Sequence, residues 1–305
     1  MPTAYGYYAN GGPEVEQFLD RPVPTLGPGQ LLVRVRAAGV NPADWKRRNG
    51  MRMPGGPPPE FPIVMGGEVA GVVEATGAGA GDFAPGDAVF GNTATGGFAE
   101  YTLLPVDLAA HKPPTVSFVD AATLPSAAST AYDCVHQLAL ASGATLLIVG
   151  VGGGVGSTAA QLARYGGVTV VGTASPGKRA FVESLGAVHV PYGPGVVDRI
   201  RAAAPGGIDA VLDTVGGAAL AEVAPLLTDR SKLVSAGDRA LVAELGGAFV
   251  ARTRNRATLE AVARLVVEGV LRPSVAVTYP LEQAGTAMRA VENGHAEGKV
   301  VIEVA

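Results

Sequence analysis

At 305 residues the chain is longer than one hydrophobic core usually serves, so two domains are expected. Apolar residues make up 48% of it and charged residues only 16%, with a net charge of −4; this globular balance argues against a nucleic-acid or anionic-membrane surface. The single cysteine, Cys134, excludes an internal disulfide and a multi-cysteine zinc site, and its apolar neighbours suit a small core residue.

The first ten residues show no basic stretch followed by an apolar one, which favours a cytoplasmic protein. The first third then reads as β-rich. Residues 30–38 alternate Val33, Val35 and Ala37 with Arg34 and Arg36, the period of a half-buried strand. Further short strands are predicted over 68–76, 87–90 and 97–104, between glycine turns, as in a small antiparallel barrel. Residues 53–62 hold five prolines and two glycines and predict an irregular loop.

From about residue 117 helices and strands alternate. No Asp, Glu, Lys or Arg lies between Asp133 and Arg164, a length that invites a membrane-span reading. Six glycines within 138–163, with Ser142, Thr145 and Gln161, fit a buried strand–turn–helix better. A strand over 145–149, a helix over 157–164 and a strand over 168–172 have the length of one βαβ unit. The rhythm repeats as helix 178–185, strand 188–190, helix 196–203, strand 209–213, helix 218–227 and strand 232–235. That alternation predicts an α/β fold with a doubly wound parallel sheet. An amphipathic helix over 259–268 and a terminal strand over 299–304 follow.

The turn Val149-Gly-Val-Gly-Gly-Gly-Val-Gly156 joins the first of these strands to its helix. A pyrophosphate needs a sharp turn there, a backbone with no Cβ in the way, and a helix that starts tightly against the strand. Free N–H groups and the helix dipole then hold the anion. Gly150, Gly153 and Gly156 stand in a GxxGxxG spacing rather than GxGxxG; the strand–turn–helix–strand context, more than the glycines, points to a dinucleotide. An acid at the end of the second strand would select NAD(H) through the ribose hydroxyls. This chain instead offers Thr173 and Ser175, then Lys178 and Arg179, and its first acid is Glu183. Hydroxyls and cations without an acid suit the extra 2′-phosphate of NADPH.

Several stretches then carry a resemblance over almost the whole chain: Gly12-Pro-Glu-Val15, Ala38-Gly-Val-Asn-Pro-Ala-Asp44, Gly66-Gly-Glu-Val-Ala-Gly-Val-Val73 and Gly97-Phe-Ala-Glu-Tyr101. Leu124-Pro125, Thr130-Ala-Tyr132, Gly153-Gly-Val-Gly156, Asp213-Thr-Val-Gly-Gly217 and Gly298-Lys-Val-Val301 continue it. In order and spacing the chain resembles the zinc-free medium-chain dehydrogenase/reductases, in particular the quinone oxidoreductase (zeta-crystallin-like) branch. The resemblance implies a Rossmann domain over 117–268 and a GroES-like, β-rich barrel domain made of 1–116 and the return 269–305. It also implies NADPH as cofactor and a homodimer.

Family roles place Asn41 near the nicotinamide; Asp44 and Trp45, close to it in the chain, are taken with it as candidate catalytic residues. Gly150, Gly153, Gly154, Val155 and Gly156 fall at the pyrophosphate. Thr173, Ser175, Lys178 and Arg179 lie toward the 2′-phosphate, and Tyr192 matches a tyrosine that meets the adenosine phosphate. Thr130, Asp213 and Val215 border the ribose; Gly237 and Asn255, at the ends of a shortened segment, complete the cofactor set.

Zinc-dependent relatives carry a cysteine where this chain has Asn41, and a four-cysteine lobe besides. One cysteine permits neither, and His111, His136, His189 and His295 are dispersed, so no metal site is expected. Trp45 stands where many relatives have a tyrosine close to the substrate, and an indole is no general acid; its charged neighbours favour a residue that lines the cleft, with core packing as the competing reading. Its neighbours Lys46, Arg47 and Arg48, with Arg52, read either as a solvated loop or as a site for an anionic, phosphopantetheine-type thioester. With no placed acid, the expected reaction is hydride transfer from NADPH to a small-molecule electron acceptor, first a quinone. An enone or enoyl-thioester double bond is the alternative, and an NADPH-binding structural or sensor protein with little turnover is another of a different class.

Overall fold

The protein is described by a computed structural model over residues 1–52, 58–294 and 296–305. Part of the predicted proline-rich loop (53–57) and His295 lie outside the described residues. Contacts divide the chain into two compact units: Met1–Ser126 with Arg254–Val267 and Val275–Ala305, and Ala127–Thr253 with Glu268–Ser274.

The first unit begins with Thr3–Tyr7 (β1), Glu16–Asp20 (β2), Gln30–Val40 (β3), Pro42–Arg48 (α1), Ile63–Val64 (β4) and Glu68–Thr76 (β5). Ala88–Asn92 (β6), Tyr101–Pro105 (β7), Ala109–His111 (β8) and the single turn Phe118–Ala121 (α2) follow. The second unit runs through Ser129–Leu138 (α3), Thr145–Val149 (β9), Gly154–Tyr165 (α4), Thr169–Ala174 (β10), Arg179–Ser184 (α5) and Val188–Pro191 (β11). It continues with Val196–Ala203 (α6), Ala210–Asp213 (β12), Gly217–Val223 (α7), Leu233–Ser235 (β13), Arg239–Glu244 (α8) and Ala248–Phe249 (β14). Arg256–Val267 (α9), Val275–Pro280 (β15), Ala284–Glu292 (α10) and Lys299–Glu303 (β16) return to the first unit.

In the second unit six parallel strands stand in the order β11-β10-β9-β12-β13-β14. This is the doubly wound order, and it reverses between β9 and β12. The charge-free stretch is therefore α3, β9 and α4. Leu146, Leu147, Ile148 and Val149 are at most 2% exposed, as a strand covered on both faces must be. Burying each contributes about 2 kcal/mol. No helix among the described residues is long and apolar enough to cross a membrane. Helix α4 starts at Gly154, three residues before the prediction, because the glycine turn is itself the helix entry. The predicted helix over 178–185 divides into a 3-10 turn, Pro176–Lys178, and α5. The one expected over 218–227 stops at Val223, since Pro225 lacks the N–H that the next turn needs.

The first unit holds a seven-stranded sheet in the order β15-β16-β3-β5-β6-β8, with β7 also on β3. Its pairs are antiparallel except β15–β16. Its core gathers Leu31, Val33, Val35, Val69, Phe98 and Ile302. Strands β1, β2 and β4 form a separate three-stranded sheet that no alternation in the sequence foretold, and β15 and α10 were likewise not predicted.

Helix α9 was expected with the parallel sheet, but it packs in the first unit. Arg256 at its start forks onto Asp82 at 2.5 and 2.8 Å and lies 4.8 Å above the Phe83 ring. The unit limits by contact fall at 126/127, 253/254, 267/268 and 274/275, beside the domain limits of 116/117 and 268/269 that the resemblance implies.

Candidate functional site

In the second unit the site is made mostly of backbone. Strand β9 ends at Val149, and Gly150 turns the chain at a φ of +85°, which an L side chain rarely adopts. A Cβ there would also meet Thr214 Oγ1 at 2.5 Å. The N–H groups of Gly150 and Val151 both donate to the Thr173 carbonyl at 3.1 Å, tying the turn to β10. A Cβ on Gly156 would fall on the Gly150 carbonyl, so only glycine lets α4 start this close to the strand. At Gly153, the N-cap of α4, an added Cβ would find only the Gly150 carbonyl, at 3.6 Å, and no side chain caps the helix. The first-turn amides of Gly154, Val155 and Gly156 have no acceptor inside the helix. That is an open, electropositive cradle, and it fits a pyrophosphate.

The strand end beside the cradle carries cationic groups. Thr173 is buried, and Ser175 opens the 3-10 turn whose last residue is Lys178. A Cβ on Gly152 would meet Lys178 Cδ at 2.7 Å, so the lysine stem lies across the glycine turn. Arg179 points away in this respect: it is exposed and bonds Glu183 at 2.9 Å, one helical turn on. Tyr192 is 62% exposed, and its N–H donates to the Ala174 carbonyl, which brings it to the same strand end. His189 Nε2 lies 3.1 Å from the Ser175 carbonyl, a neighbour that dispersion along the sequence gave no reason to name.

Beside this turn lies a second one, built on Asp213. Its Oδ1 accepts the N–H groups of Val215 and Gly216 at 3.0 and 2.9 Å, and its Oδ2 accepts Ser235 Oγ at 2.6 Å. Ser235 Oγ in turn accepts the N–H groups of Gly237 and Asp238 at 3.0 Å. Asp213 is fully buried with both oxygens engaged, so it shapes the turn rather than meeting a ribose directly. The turn exposes Val215 instead, and Gly237 is needed because a Cβ would press on the Val215 backbone at 2.8 Å. Thr130 is a buried residue of α3. Asn255 departs from expectation: it belongs to the first unit, and its Oδ1 caps α9 by accepting the Thr258 N–H at 2.9 Å.

The first unit has a site of the opposite kind, made of side chains. Asn41 caps α1, and the Asp44 carboxylate accepts the Asn41 N–H at 2.8 Å. Burial pushes the Asp44 carboxyl up to about 6, against a smaller lowering by its hydrogen bond to Asn41 and by the Arg47 charge. The Asn41 side chain donates to Glu68 Oε1 at 2.7 Å and accepts from Lys299 Nζ at 2.6 Å. Lys299 Nζ also donates to Glu68 Oε1 at 2.7 Å and to the Val40 carbonyl at 3.0 Å, while Glu68 Oε2 accepts the Ser126 N–H at 2.7 Å. Lys299 and Glu68 are 7% and 0% exposed, a buried and fully bonded ion pair. Both stand in stretches that carry the resemblance, Gly66-Gly-Glu68 and Gly298-Lys299, but nothing in the sequence pairs them.

Arg48 corrects the expectation made for it, and Trp45 takes a place between the two readings. The Trp45 ring packs against the core of the first unit as a partly buried side chain, so core packing accounts for most of it. Its Nε1 is nevertheless the buried side-chain polar atom left without a hydrogen-bond partner among the described residues. Arg48 is fully buried, neither solvated nor open to an anion. It pairs with Glu16 and, at 2.8 Å, with Glu292, and donates to the Gly11 carbonyl at 3.2 Å. Lys46 lies 5.6 Å from the Trp45 ring, Arg47 is exposed near Gly67, and Arg52 is exposed.

The chain matches the alcohol dehydrogenase GroES-like domain family over residues 27–114 and the zinc-binding dehydrogenase family over residues 185–302. A chloroplastic quinone oxidoreductase, QR1, of Triphysaria versicolor is 31% identical over 96% of this chain and 95% of its own. A chloroplastic NADPH-dependent alkenal/one oxidoreductase of Arabidopsis thaliana is 32% identical over 92% of this chain and 73% of its own. The solved structure of a quinone oxidoreductase from Coxiella burnetii superposes with a TM-score of 0.88 at 30% identity, covering 100% of this chain and 99% of the other.

The residues present do not fit the zinc that the second family's description implies. The one cysteine, Cys134, is a buried thiol of α3 pushed up to about 12 by desolvation, and no cluster of three metal-ligating side chains occurs among the described residues. At Asn41 an amide, already bonded to a lysine and a glutamate, stands where the zinc-dependent enzymes are expected to have a thiolate. The fold, the glycine turn, the absence of a thiolate at Asn41 and the relatives agree, and the chain belongs to the zinc-free medium-chain dehydrogenase/reductase family of oxidoreductases.

Proposed function

We propose that this protein is a zinc-independent, NADPH-dependent oxidoreductase that transfers a hydride to a quinone. The observation that carries the cofactor is the strand end next to the glycine cradle, where Lys178 lies across the turn and no acid precedes Glu183. A carboxylate there would repel a 2′-phosphate, whereas an ammonium and the Ser175 hydroxyl attract one. Bound NADPH supplies the hydride. Gly153, Gly154, Val155 and Gly156 hold the pyrophosphate, Gly150 and Asp213 shape the two turns, and Thr130, Thr173 and Val215 flank the ribose. Ser175, Lys178 and Tyr192 take the adenosine phosphate, with Arg179 in a weaker part.

Asn41 is assigned to the reacting end, with Asp44 and Trp45 as its support. A quinone suits a site without a placed acid: hydride and one proton convert it to the quinol, and water can supply the proton. The enone reading is favoured by the likeness to an alkenal/one oxidoreductase, because conjugated carbonyls need the same flat contact and hydride geometry. We assign the protein to a homodimer on the same grounds of resemblance. The test is NADPH oxidation against a panel of short quinones, enones and enoyl thioesters, with NADH alongside. Quinone turnover well above the rest, with NADPH preferred, is expected; a clear preference for acyl thioesters or for NADH overturns the reading.

A further inference from the structure

The Asn41 amide is held in one orientation by chemistry that leaves no choice. An ammonium has donors and no acceptor, so Lys299 Nζ can bond only the oxygen of that amide, at 2.6 Å. The nitrogen must then face the carboxylate, and Asn41 Nδ2 donates to Glu68 Oε1 at 2.7 Å. Glu68 is itself fixed, by Lys299 at 2.7 Å and by the Ser126 N–H at 2.7 Å. The three protons of the ammonium are spent on Val40, Asn41 and Glu68, and the lysine is buried, so it reaches no ligand. A Cβ on Gly39 would fall on Glu68 Oε1, so the backbone is cut back to let this carboxylate in.

One donor in the cluster remains under-used. The second Asn41 Nδ2 proton has only the Gly39 carbonyl, at 3.4 Å, longer than an ordinary N–H···O bond. An amide whose oxygen accepts from a cation is polarised, and its N–H becomes the stronger donor.

We propose that Lys299 is a positioning residue for the reaction: its ammonium, held by Glu68, orients and polarises the Asn41 amide so that the second N–H, now on a long bond to Gly39, exchanges it for the oxygen of the acceptor. As hydride reaches the acceptor, that oxygen gains negative charge, and a pre-aimed donor stabilises it more than it stabilises the neutral carbonyl. No bond to Lys299 forms or breaks, and its proton stays on Nζ. The inference rests on the reading of Asn41 as the group facing the acceptor.

The experiment compares the parent with Lys299→Met/Glu68→Gln, which removes both buried charges together and keeps an acceptor for Asn41 Nδ2 and for Ser126. Each is made with and without Asn41→Ala, and Lys299→Arg is the conservative control. With a short quinone and saturating NADPH, the paired change is expected to lower kcat by about tenfold with Asn41 present, and by less than about twofold with Asn41→Ala, while NADPH affinity stays within about twofold. Lys299→Arg should recover part of the loss. The same factor in both backgrounds, or no loss with Asn41 present, overturns the proposal.

A second arm needs no turnover. The Asn41 side-chain amide protons, read by 15N-resolved NMR of the whole chain, should lie downfield in the parent and move upfield in the paired variant. Unmoved signals overturn the proposal whatever the kinetics. A parent that reduces no acceptor ends the functional reading, and the NMR arm still decides whether Lys299 orients the amide.

Discussion

In the second unit the candidate site is built from the backbone amides of residues 153–156 and a lysine stem laid over Gly152, whereas in the first it is built from side chains locked to one another: Asn41, Glu68 and Lys299. A backbone cradle depends on space, so one added methyl group can destroy it and few charge changes can. A side-chain cluster depends on mutual neutralisation, so removing one partner leaves a buried charge exposed to no solvent. The two regions should therefore fail in different ways, and substitutions can separate them.

The largest effect is expected at Arg48, which underpins the helix carrying Asn41 and Asp44. Arg48→Met strands Glu16, 1% exposed, without its partner, and should cost about 3–5 kcal/mol in urea unfolding with the m-value unchanged. A loss below about 1 kcal/mol would put Arg48 in the class of solvated surface pairs. Gly156→Val comes next. Its side chain collides with the Gly150 carbonyl, and NADPH affinity should fall by about 100-fold, on the order of 3 kcal/mol, in a fluorescence titration. Binding retained within a few-fold would show that the turn is not the cradle.

Asp44 sharpens the contrast through pH. Its carboxyl titrates at about 6 in the folded chain, above the ordinary 3.8, so the folded state keeps this proton longer than the unfolded one. The stability tied to the neutral form is complete below about pH 4 and is lost as pH rises to about 6. Asp44→Asn cannot ionise and still offers an oxygen to the Asn41 N–H. It should abolish the decline and exceed the parent by up to about 3 kcal/mol at pH 7, followed by thermal unfolding across that range. Parallel curves for the two proteins would mean that Asp44 is not the titrating group. The smallest effect belongs to the cations. Lys178→Ala should weaken NADPH by about tenfold and NADH hardly at all, and Arg179→Ala, already paired with Glu183, should weaken NADPH by about twofold. Equal losses for both cofactors would remove the 2′-phosphate role.

The glycine turn could be read from the sequence because its requirements are local: an apolar strand, a positive φ, and small residues where a helix begins. The acid-free strand end was legible for the same reason, and it separates Lys178 from Arg179 only once the stem is seen over Gly152. Arg48 was misjudged because neighbouring charges in the sequence suggested a surface. Successive residues of a helix point in different directions, and Arg48 turns inward to Glu16 and Glu292, 32 and 244 positions away. Asn255 caps helix α9, and that this helix packs in the first unit could not be read from its position in the sequence.

Local chemistry alone determined the parallel sheet, the strand–turn–helix around the glycines, and the leaning toward NADPH. The tertiary structure decided which polar residues are spent on one another. Lys299 lies 258 residues from Asn41 and 231 from Glu68, and the three meet only because β16 returns to pair with β3, which pairs with β5. Sequence periodicity reports which face of an element is buried; it does not report which buried charge will find which partner, because that depends on how distant strands come into register.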